Sequence, residues 1–379
     1  MSFRKYLKIM LLLACCTSLQ SCVDPYEIDF EKDGKRLVVE GFFTDNAQEP
    51  DTIKIYYSSY SQEFAKTLAI EGIKAFIQVE ETKEQIALLS PSVGRFVPPK
   101  SFVALPNQHY RLLFSLPNGD QYQSTAEQLT TTPPIAKVHS QFNLKSKMSD
   151  DGQSYLSAHE LYVDYQDIPN KTNFYLWRYT HYERLQHCKT CNNSILDYGS
   201  QQCVVASGNL RGRPYFDYGC EGLCYAIFHN PNIIVQSDRA SDGRLVQNKL
   251  VAQIPYYYDY GCLVNIEQIS VSLEVYKFYK LVELLSSSSG GLADTPPSAI
   301  VGNIQNITNP DEKVVGFFGV ANIQKQQFWL DRTDATGKYA YILGHLIVEE
   351  PSNPPTRPPF AACVPSDTRT PIQPKGWKN

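Results

Sequence analysis

Beyond its first 22 residues the sequence contains no long apolar run, which excludes a membrane-spanning helix from the rest of the chain. A helix that crosses a bilayer needs about 20 consecutive apolar residues. The sequence also lacks an excess of positive charge, because its 35 Lys and Arg residues are outnumbered by 39 Asp and Glu residues. Since nucleic-acid binding relies on basic side chains that contact phosphates, this balance argues against nucleic acid as a partner.

Motifs that carry catalysis are missing as well. The sequence has no metalloprotease His-Glu-x-x-His, no Gly-x-Ser-x-Gly, no phosphate loop and no dinucleotide fingerprint. The segment 238–243 opens like a calcium loop, but Ala240 stands at its third position and Lys249 at its twelfth, where a glutamate is needed. Adjacent carboxylates such as Glu349 and Glu350 point to opposite faces of a strand. We therefore predict a turn at 238–243, no catalytic residue, no cofactor and no metal site.

The first 22 residues have the pattern of a lipoprotein signal. Three basic residues precede an apolar run at 9–14, and Leu19-Gln20-Ser21-Cys22 matches a lipobox. This order predicts a signal peptide over 1–21 and lipid attachment to the Cys22 thiol. Acyl chains would then anchor the mature protein to a membrane without a spanning segment. The alternative is an ordinary signal peptide that has a cysteine near its cleavage site.

The segment that follows the signal is acidic. Removal of 1–21 takes away three basic residues and no acidic ones, so the formal charge goes from −4 to −7. Residues 22–35 have little apolar periodicity and predict an extended, solvated tether. Acidic residues behind the lipidated cysteine accompany export to the cell surface in lipoproteins of Bacteroidota, and the matching residues here are Asp24, Glu27, Asp29 and Glu31. We therefore expect a lipid-anchored outer-membrane protein exposed at the cell surface. The alternative is that the acidic segment is a plain solvated linker without an export signal.

Composition and residue alternation predict a mainly β protein. Tyr (25) and Phe (18) are abundant and Met (3) is scarce, while 24 Pro and 21 Gly separate short apolar runs. Over 36–132, about seven short alternating strands, with an Asn118-Gly119 hairpin turn, predict an immunoglobulin-like β-sandwich. The Pro133-Pro134 pair ends it, because proline cannot donate to a β-ladder.

Residues 135–350 predict a larger β domain with one packed helix and Cys-rich loops. The helix is expected over 272–285, with Ser272 as its N-cap. Aromatic, alternating stretches predict strands at 136–142, 161–165 and 174–180, and further strands are expected at 299–304, 314–321 and 341–348. The tail, 351–379, contains two Pro-Pro pairs and predicts an extended segment close to polyproline II.

The cysteines of the mature chain favour disulfides. They are Cys188, Cys191, Cys203, Cys220, Cys224, Cys262 and Cys363. Exported proteins meet oxidising conditions, and the six cysteines between 188 and 262 allow 15 pairings, among which the sequence does not choose. Cys363 is the one we expect to be left over, either to find a partner among the others or to stay free. A zinc site made by 188–191 and 220–224, with His187 nearby, is the alternative, but the second spacing is loose for zinc.

Three aromatic clusters are the candidate recognition residues. Tyr combines a large, stiff contact area with a hydroxyl, which suits peptide, glycan or protein surfaces, and loops on a rigid scaffold commonly carry function. The alternative is that half of each cluster faces the core. The clusters are Tyr215, Phe216 and Tyr218, then Tyr256, Tyr257, Tyr258 and Tyr260, and finally Tyr179 with His181 and Tyr182.

Several of these motifs together resemble a known family. The matching segments are 37–41 after the lipobox, 175–179, 220–225, 271–285, 300–304 and 315–319. They resemble the Bacteroidota lipoprotein family called "domain of unknown function 4249", over nearly the whole mature chain. The resemblance implies an accessory role at a TonB-dependent receptor, because genes of the family commonly lie beside such receptors. The chain departs from the family at its end, where Cys363 is the tail's single cysteine instead of one of a close pair.

Three functions follow from these observations. The preferred one is a non-enzymatic, lipid-anchored accessory or binding subunit of a TonB-dependent receptor, with a peptide or glycan as its ligand. A hydrolase of peptides or glycans whose residues meet only in the folded protein is the second. A structural or adhesive surface protein is the third, and it predicts neither a receptor complex nor a ligand.

Overall fold

The described residues form a mainly β fold with one helix and disulfide-bearing loops, which confirms the predicted fold class. The computed structural model describes residues 35–61, 64–149, 153–205, 215–230, 232–286, 301–350 and 360–378. The predicted signal peptide, Cys22, nearly all of the tether and residues 351–359 lie outside these ranges. Within them, no helix has the length and apolar character needed to cross a membrane.

The elements are numbered in chain order. The first ten strands are β1 (Arg36–Thr44), β2 (Ile53–Ser61), β3 (Phe64–Ala69), β4 (Lys74–Val79), β5 (Gln85–Ala87), β6 (Leu89–Ser92), β7 (Arg95–Val97), β8 (His109–Ser115), β9 (Gln121–Ser124) and β10 (Glu127–Gln128). The next eleven are β11 (Ile135–Met148), β12 (Tyr155–Gln166), β13 (Phe174–Arg184), β14 (His187–Asn192), β15 (Ser194–Asp197), β16 (Gln202–Val205), β17 (Tyr215–Glu221), β18 (Tyr225–His229), β19 (Ile234–Ser237), β20 (Leu245–Pro255) and β21 (Cys262–Val271). The helix α1 (Leu273–Ser286) is followed by β22 (Ile304–Asn306), β23 (Val315–Ala321), β24 (Ile323–Leu330), β25 (Phe360–Ala362) and β26 (Arg369–Thr370).

The N-terminal part is a sandwich of two sheets around one core. One sheet has the order β23-β1-β2-β7-β6 with β3 beside β2, and the other has the order β22-β9-β8-β4-β5 with β10 beside β8. Alternate residues of β4 and β8 are buried, as the period of two predicts. The predicted hairpin is present, because β8 and β9 pair in antiparallel register around Gly119 at φ 95°.

The sandwich is completed by strands from the C-terminal half, which corrects the predicted domain boundaries. Residues 304–321 were assigned to the second domain, but β23 pairs in parallel with β1 and β22 pairs with β9. The contact is close enough to require glycine, since a Cβ on Gly316 would come within 1.9 Å of the Val39 carbonyl oxygen. The prediction of a strand at 314–321 carries no information on its partner.

Two further sheets form the second half. A three-stranded sheet, β11-β12-β20, faces a sheet of order β24-β21-β13-β18-β26 with β19 beside β13. They share a core that includes Tyr165, Tyr175 and Trp177. The predicted helix is confirmed as α1, where the Ser272 Oγ accepts the Val275 backbone N–H at 3.3 Å. Val275 packs with Phe42 of the first sandwich and other apolar residues, so the helix joins the two halves.

The tail docks on the second half, which corrects the prediction of an extended segment for residues 360–378. β25 pairs in parallel with β17, and β26 pairs with β18. The Trp377 ring packs against Tyr225 at 4.7 Å and Trp329 at 5.1 Å between centroids. The strand predicted at 341–348 is also wrong, because most of that segment forms turns and irregular structure.

Candidate functional site

The cysteine region is held by three disulfides within the described residues. Cys188 is bonded to Cys220, Cys191 to Cys203, and Cys224 to Cys363. The four cysteines of the alternative zinc site are therefore bonded in three different bridges, and their sulfurs are not available as thiolates. The bridges and the apolar side chains around them form a small core of their own.

Among the described cysteines the unpaired one is Cys262, which corrects the expectation for the tail. Cys262 is fully buried and carries a free thiol, whereas Cys363 is bonded across the fold to Cys224. Burial raises the pKa of the Cys262 thiol well above its usual value, and the nearby Glu183 charge raises it further. Cys262 is therefore a packed core residue, and the count of seven cysteines gave no means to tell it from Cys363.

The first aromatic cluster belongs mainly to the core, which corrects the assignment of Phe216 and Tyr218 to a recognition surface. Phe216 and Tyr218 are buried at 1% and 0% exposure among the disulfides. The Tyr218 hydroxyl donates to Glu350 at 2.7 Å and accepts the Leu196 backbone N–H at 2.8 Å. Tyr215 is half-buried, with its ring against a neighbouring histidine ring.

The second cluster divides between core, surface and a cavity. Tyr256 and Tyr258 are buried, and each ring packs against Tyr339. Tyr260 is 50% exposed. Tyr257, which lies between the two buried tyrosines, lines a cavity of about 420 Å³.

This cavity, here called the aromatic pocket, is built by both sheets of the second half. Its volume falls within the range of small-ligand sites. The residues that line it are Lys147, Tyr179, His181, Phe228, His229, Asn232, Ile234, Lys249, Leu250, Ala252, Gln253, Pro255 and Tyr257. Tyr179 and His181 of the third predicted cluster are thus brought beside Tyr257 of the second.

His181 is the chemically distinctive residue of the aromatic pocket. Its ring stacks on Phe228 with centroids 4.7 Å apart, and it is 4% exposed. Burial, with smaller contributions from the Arg332 and His229 charges, lowers the pKa of His181 to about 3. The ring is therefore neutral at physiological pH and offers one donor and one acceptor. Neither ring nitrogen has a hydrogen-bond partner among the described residues, and the Glu183 Oε1 at 3.8 Å from Nε2 is too far for such a bond.

Two lysines give the aromatic pocket a positive side. Lys147 comes from β11 and Lys249 from β20, and no Asp or Glu is among the lining residues that the structure describes. Burial lowers the pKa of Lys249, an effect partly offset by the Glu283 charge. An anionic group on a ligand would stabilise the charged form of the Lys249 ammonium group.

Comparison with known proteins identifies the family. A model of the family described as "Domain of unknown function (DUF4249)" matches residues 23–327. The chain belongs to this family. Comparisons with curated proteins and with solved structures find no match. The lining residues of the aromatic pocket all lie within the part of the DUF4249 chain that the family model covers.

A buried arginine that sequence reasoning missed holds one wall of the pocket in this DUF4249 protein. Arg332 donates to both carboxylate oxygens of Glu183, and both side chains are almost fully buried. It also donates to the carbonyl oxygens of Pro255, Tyr258 and Tyr260 at 3.1–3.2 Å. Because these carbonyls flank Tyr257 on both sides, Arg332 fixes the segment that carries it. No sequence pattern marked this residue, since a lone Arg after a strand is ordinary.

Proposed function

We propose that this protein is a non-enzymatic, lipid-anchored binding subunit of the outer membrane that takes its ligand in the aromatic pocket. The observation that carries the proposal is His181, a buried neutral ring in the pocket wall whose nitrogens have no partner among the described residues. An unsatisfied buried polar group costs about 1–3 kcal/mol. A ligand that hydrogen-bonds to the ring recovers this cost.

The lining of the pocket favours a planar, anionic ligand. Phe228, Tyr257 and the His181 ring offer stacking surfaces, with Phe228 and Tyr257 centroids 5.3 Å apart. Lys147 and Lys249 add positive charge, and no carboxylate is among the described lining residues. A short peptide that ends in an aromatic residue with a free carboxylate fits these features better than an uncharged glycan.

The proposal includes a TonB-dependent receptor as partner. The lipobox at Leu19–Cys22 supports attachment to the membrane, and the resemblance to the family supports proximity to such a receptor. In this role the protein binds the ligand at the cell surface and passes it to the receptor. A hydrolase commonly uses a Ser, Thr or Cys nucleophile or a pair of carboxylates, and the described lining of the pocket contains none of these residue types.

Replacement of Tyr257 by alanine is expected to weaken binding of the dipeptide Ala-Phe about tenfold, because a ring contact contributes about 0.5–1.5 kcal/mol besides its buried area. The measurement is a calorimetric titration with Ala-Phe, its C-terminal amide and a neutral oligosaccharide. We expect the amide and the oligosaccharide to bind more weakly than the free acid.

Tyr260→Ala is the matched control, because Tyr260 belongs to the same cluster but is half exposed and outside the pocket lining. His181→Phe keeps the stack on Phe228 and removes two unpartnered nitrogens, so it should weaken binding while the protein stays as stable or becomes more stable. Equal effects of Tyr257→Ala and Tyr260→Ala would contradict the pocket as the binding site. Turnover of any probe would favour the hydrolase instead.

A further inference from the structure

Three carboxylates meet at one end of the second half, well separated along the sequence. Asp167 directly follows β12, whereas Asp238 and Asp242 follow β19. One oxygen of each lies within 4.8 Å of the others. Asp167 and Asp238 are each 1% exposed, and Asp242 is exposed at the surface.

Within the described residues, the two buried carboxylates accept hydrogen bonds from neutral groups only. Asp167 accepts hydrogen bonds from the Tyr175 hydroxyl and the Gly243 backbone N–H, and Asp238 accepts from the backbone and side-chain amide of Asn173. No lysine or arginine forms an ion pair with any of the three carboxylates in the described ranges. Buried charges in proteins are paired or coordinate a metal ion, so two unpaired buried carboxylates side by side call for a cation.

A buried hydroxyl beside the cluster points independently to a ligand. Tyr165 is fully buried, and its hydroxyl has no hydrogen-bond partner in the part of the chain that the structure describes. Its ring packs edge-on against Tyr175 at 5.3 Å, the residue that donates to Asp167. A water molecule on a cation held by these carboxylates would supply the partner that this oxygen lacks.

We propose that Asp167, Asp238 and Asp242 bind Ca²⁺. The available donors are all oxygens, as hard cations require. Ligand bonds of 2.3–2.6 Å allow opposite oxygens to be about 4.6–5.2 Å apart, which accommodates the spacing of the cluster. The recorded hydrogen bonds go to Asp238 Oδ2 and Asp242 Oδ1, which leaves the second oxygen of each for the ion.

The same residues explain why the sequence pattern looked incomplete. The segment 238–243 has Asp at the first and fifth positions of a calcium loop and Gly at the sixth, but lacks the glutamate at the twelfth. In the fold, Asp167 from a different loop supplies the additional carboxylate, and Gly243 donates its N–H to that residue at 3.0 Å. The ion therefore ties the loop after β12 to the loop after β19.

Terbium luminescence tests the site directly, because Tyr165 and Tyr175 lie close enough to transfer excitation energy to a bound Tb³⁺. We expect the full chain to give a saturable signal that Ca²⁺ displaces at concentrations up to roughly 1 mM and that Mg²⁺ displaces far less well. Asp238→Asn should abolish the signal. Asp242→Asn should weaken Tb³⁺ and Ca²⁺ binding at least about tenfold, since even outer-shell changes at metal sites cost that much.

Asp331→Asn is the matched control, because Asp331 is an exposed carboxylate that bonds to a neighbouring turn residue. Its variant should bind both ions as the wild type does. Asp242→Asn also keeps the test valid if Asp238→Asn fails to fold, because Asp242 is at the surface. Ca²⁺ should raise the melting temperature of the wild type and not that of Asp242→Asn. The absence of a saturable signal, or equal binding by Asp242→Asn and the wild type, would overturn the proposal.

Discussion

Replacement of Arg332 by methionine is expected to destabilise the protein by about 3–5 kcal/mol, one of the two largest effects that the structure predicts. The change leaves the Glu183 carboxylate buried without the arginine that neutralises its charge. It also removes the donor to three carbonyls at 255–260. The free energy of unfolding in urea measures the loss.

Arg239→Met is the matched control for this prediction, because Arg239 is exposed on a turn, and it should change stability by less than about 0.5 kcal/mol. Combining Arg332→Met with Glu183→Gln should restore part of the lost stability, since the second change removes the stranded charge. A loss below about 1 kcal/mol in Arg332→Met would show that the buried pair does not hold this wall of the pocket.

Replacement of both Cys224 and Cys363 by serine is expected to cost about 2–5 kcal/mol and to release the tail from the second half. The bridge spans a sequence separation of 139 residues, and in the chain-entropy model a longer closed loop restricts the unfolded chain more. The measurements are thermal unfolding and the rate at which protease cleaves within residues 360–378.

The Cys191–Cys203 bridge supplies the comparison, because it spans only 12 residues. Its double serine variant should lose less stability and keep the tail protected, since the strand pairing of the tail is with β17 and β18. The Ala362 backbone N–H also donates to the Gln201 Oε1 of this loop at 2.9 Å, a contact that does not depend on the bridge sulfurs. If the loss of the short bridge lowers stability more than the loss of the long one, the expected dependence on loop length is contradicted. If the tail stays protected without Cys363, it is held by its strand pairing and aromatic packing alone.

Local patterns predicted much of the fold. Alternation identified the strand at 174–180, because a strand with one buried face has a period of two. The helix was predicted from its N-cap and apolar spacing, and Ser272 does cap it. These features depend on neighbours within a few residues, which a single sequence contains.

Long-range pairing was beyond the sequence. β23 pairs with β1 across more than 270 residues, and nothing in either strand specifies the other beyond apolar character. The tail was assigned to an extended state from its prolines, yet the residues after 359 carry Cys363 and Trp377, which dock it. The contacts that decide these placements form only in the folded chain.

The candidate site was partly visible in the sequence. The aromatic clusters supplied Tyr257, Tyr179 and His181, and the expectation that half of each cluster faces the core describes Tyr256 and Tyr258. The sequence could not show that His181 lacks hydrogen-bond partners, nor that Arg332 fixes the segment beside it. Both facts depend on contacts between β13 and residues far along the chain, and these contacts form only when the chain folds.

The most direct test of the proposed role is purification of the tagged, lipidated protein from native outer membranes in mild detergent, with mass spectrometry of the proteins that accompany it. The account predicts a TonB-dependent receptor in stoichiometric amount with the wild type, and loss of both the membrane anchor and the receptor in Cys22→Ser. Recovery of the lipoprotein alone from intact outer membranes would contradict its role as a receptor subunit.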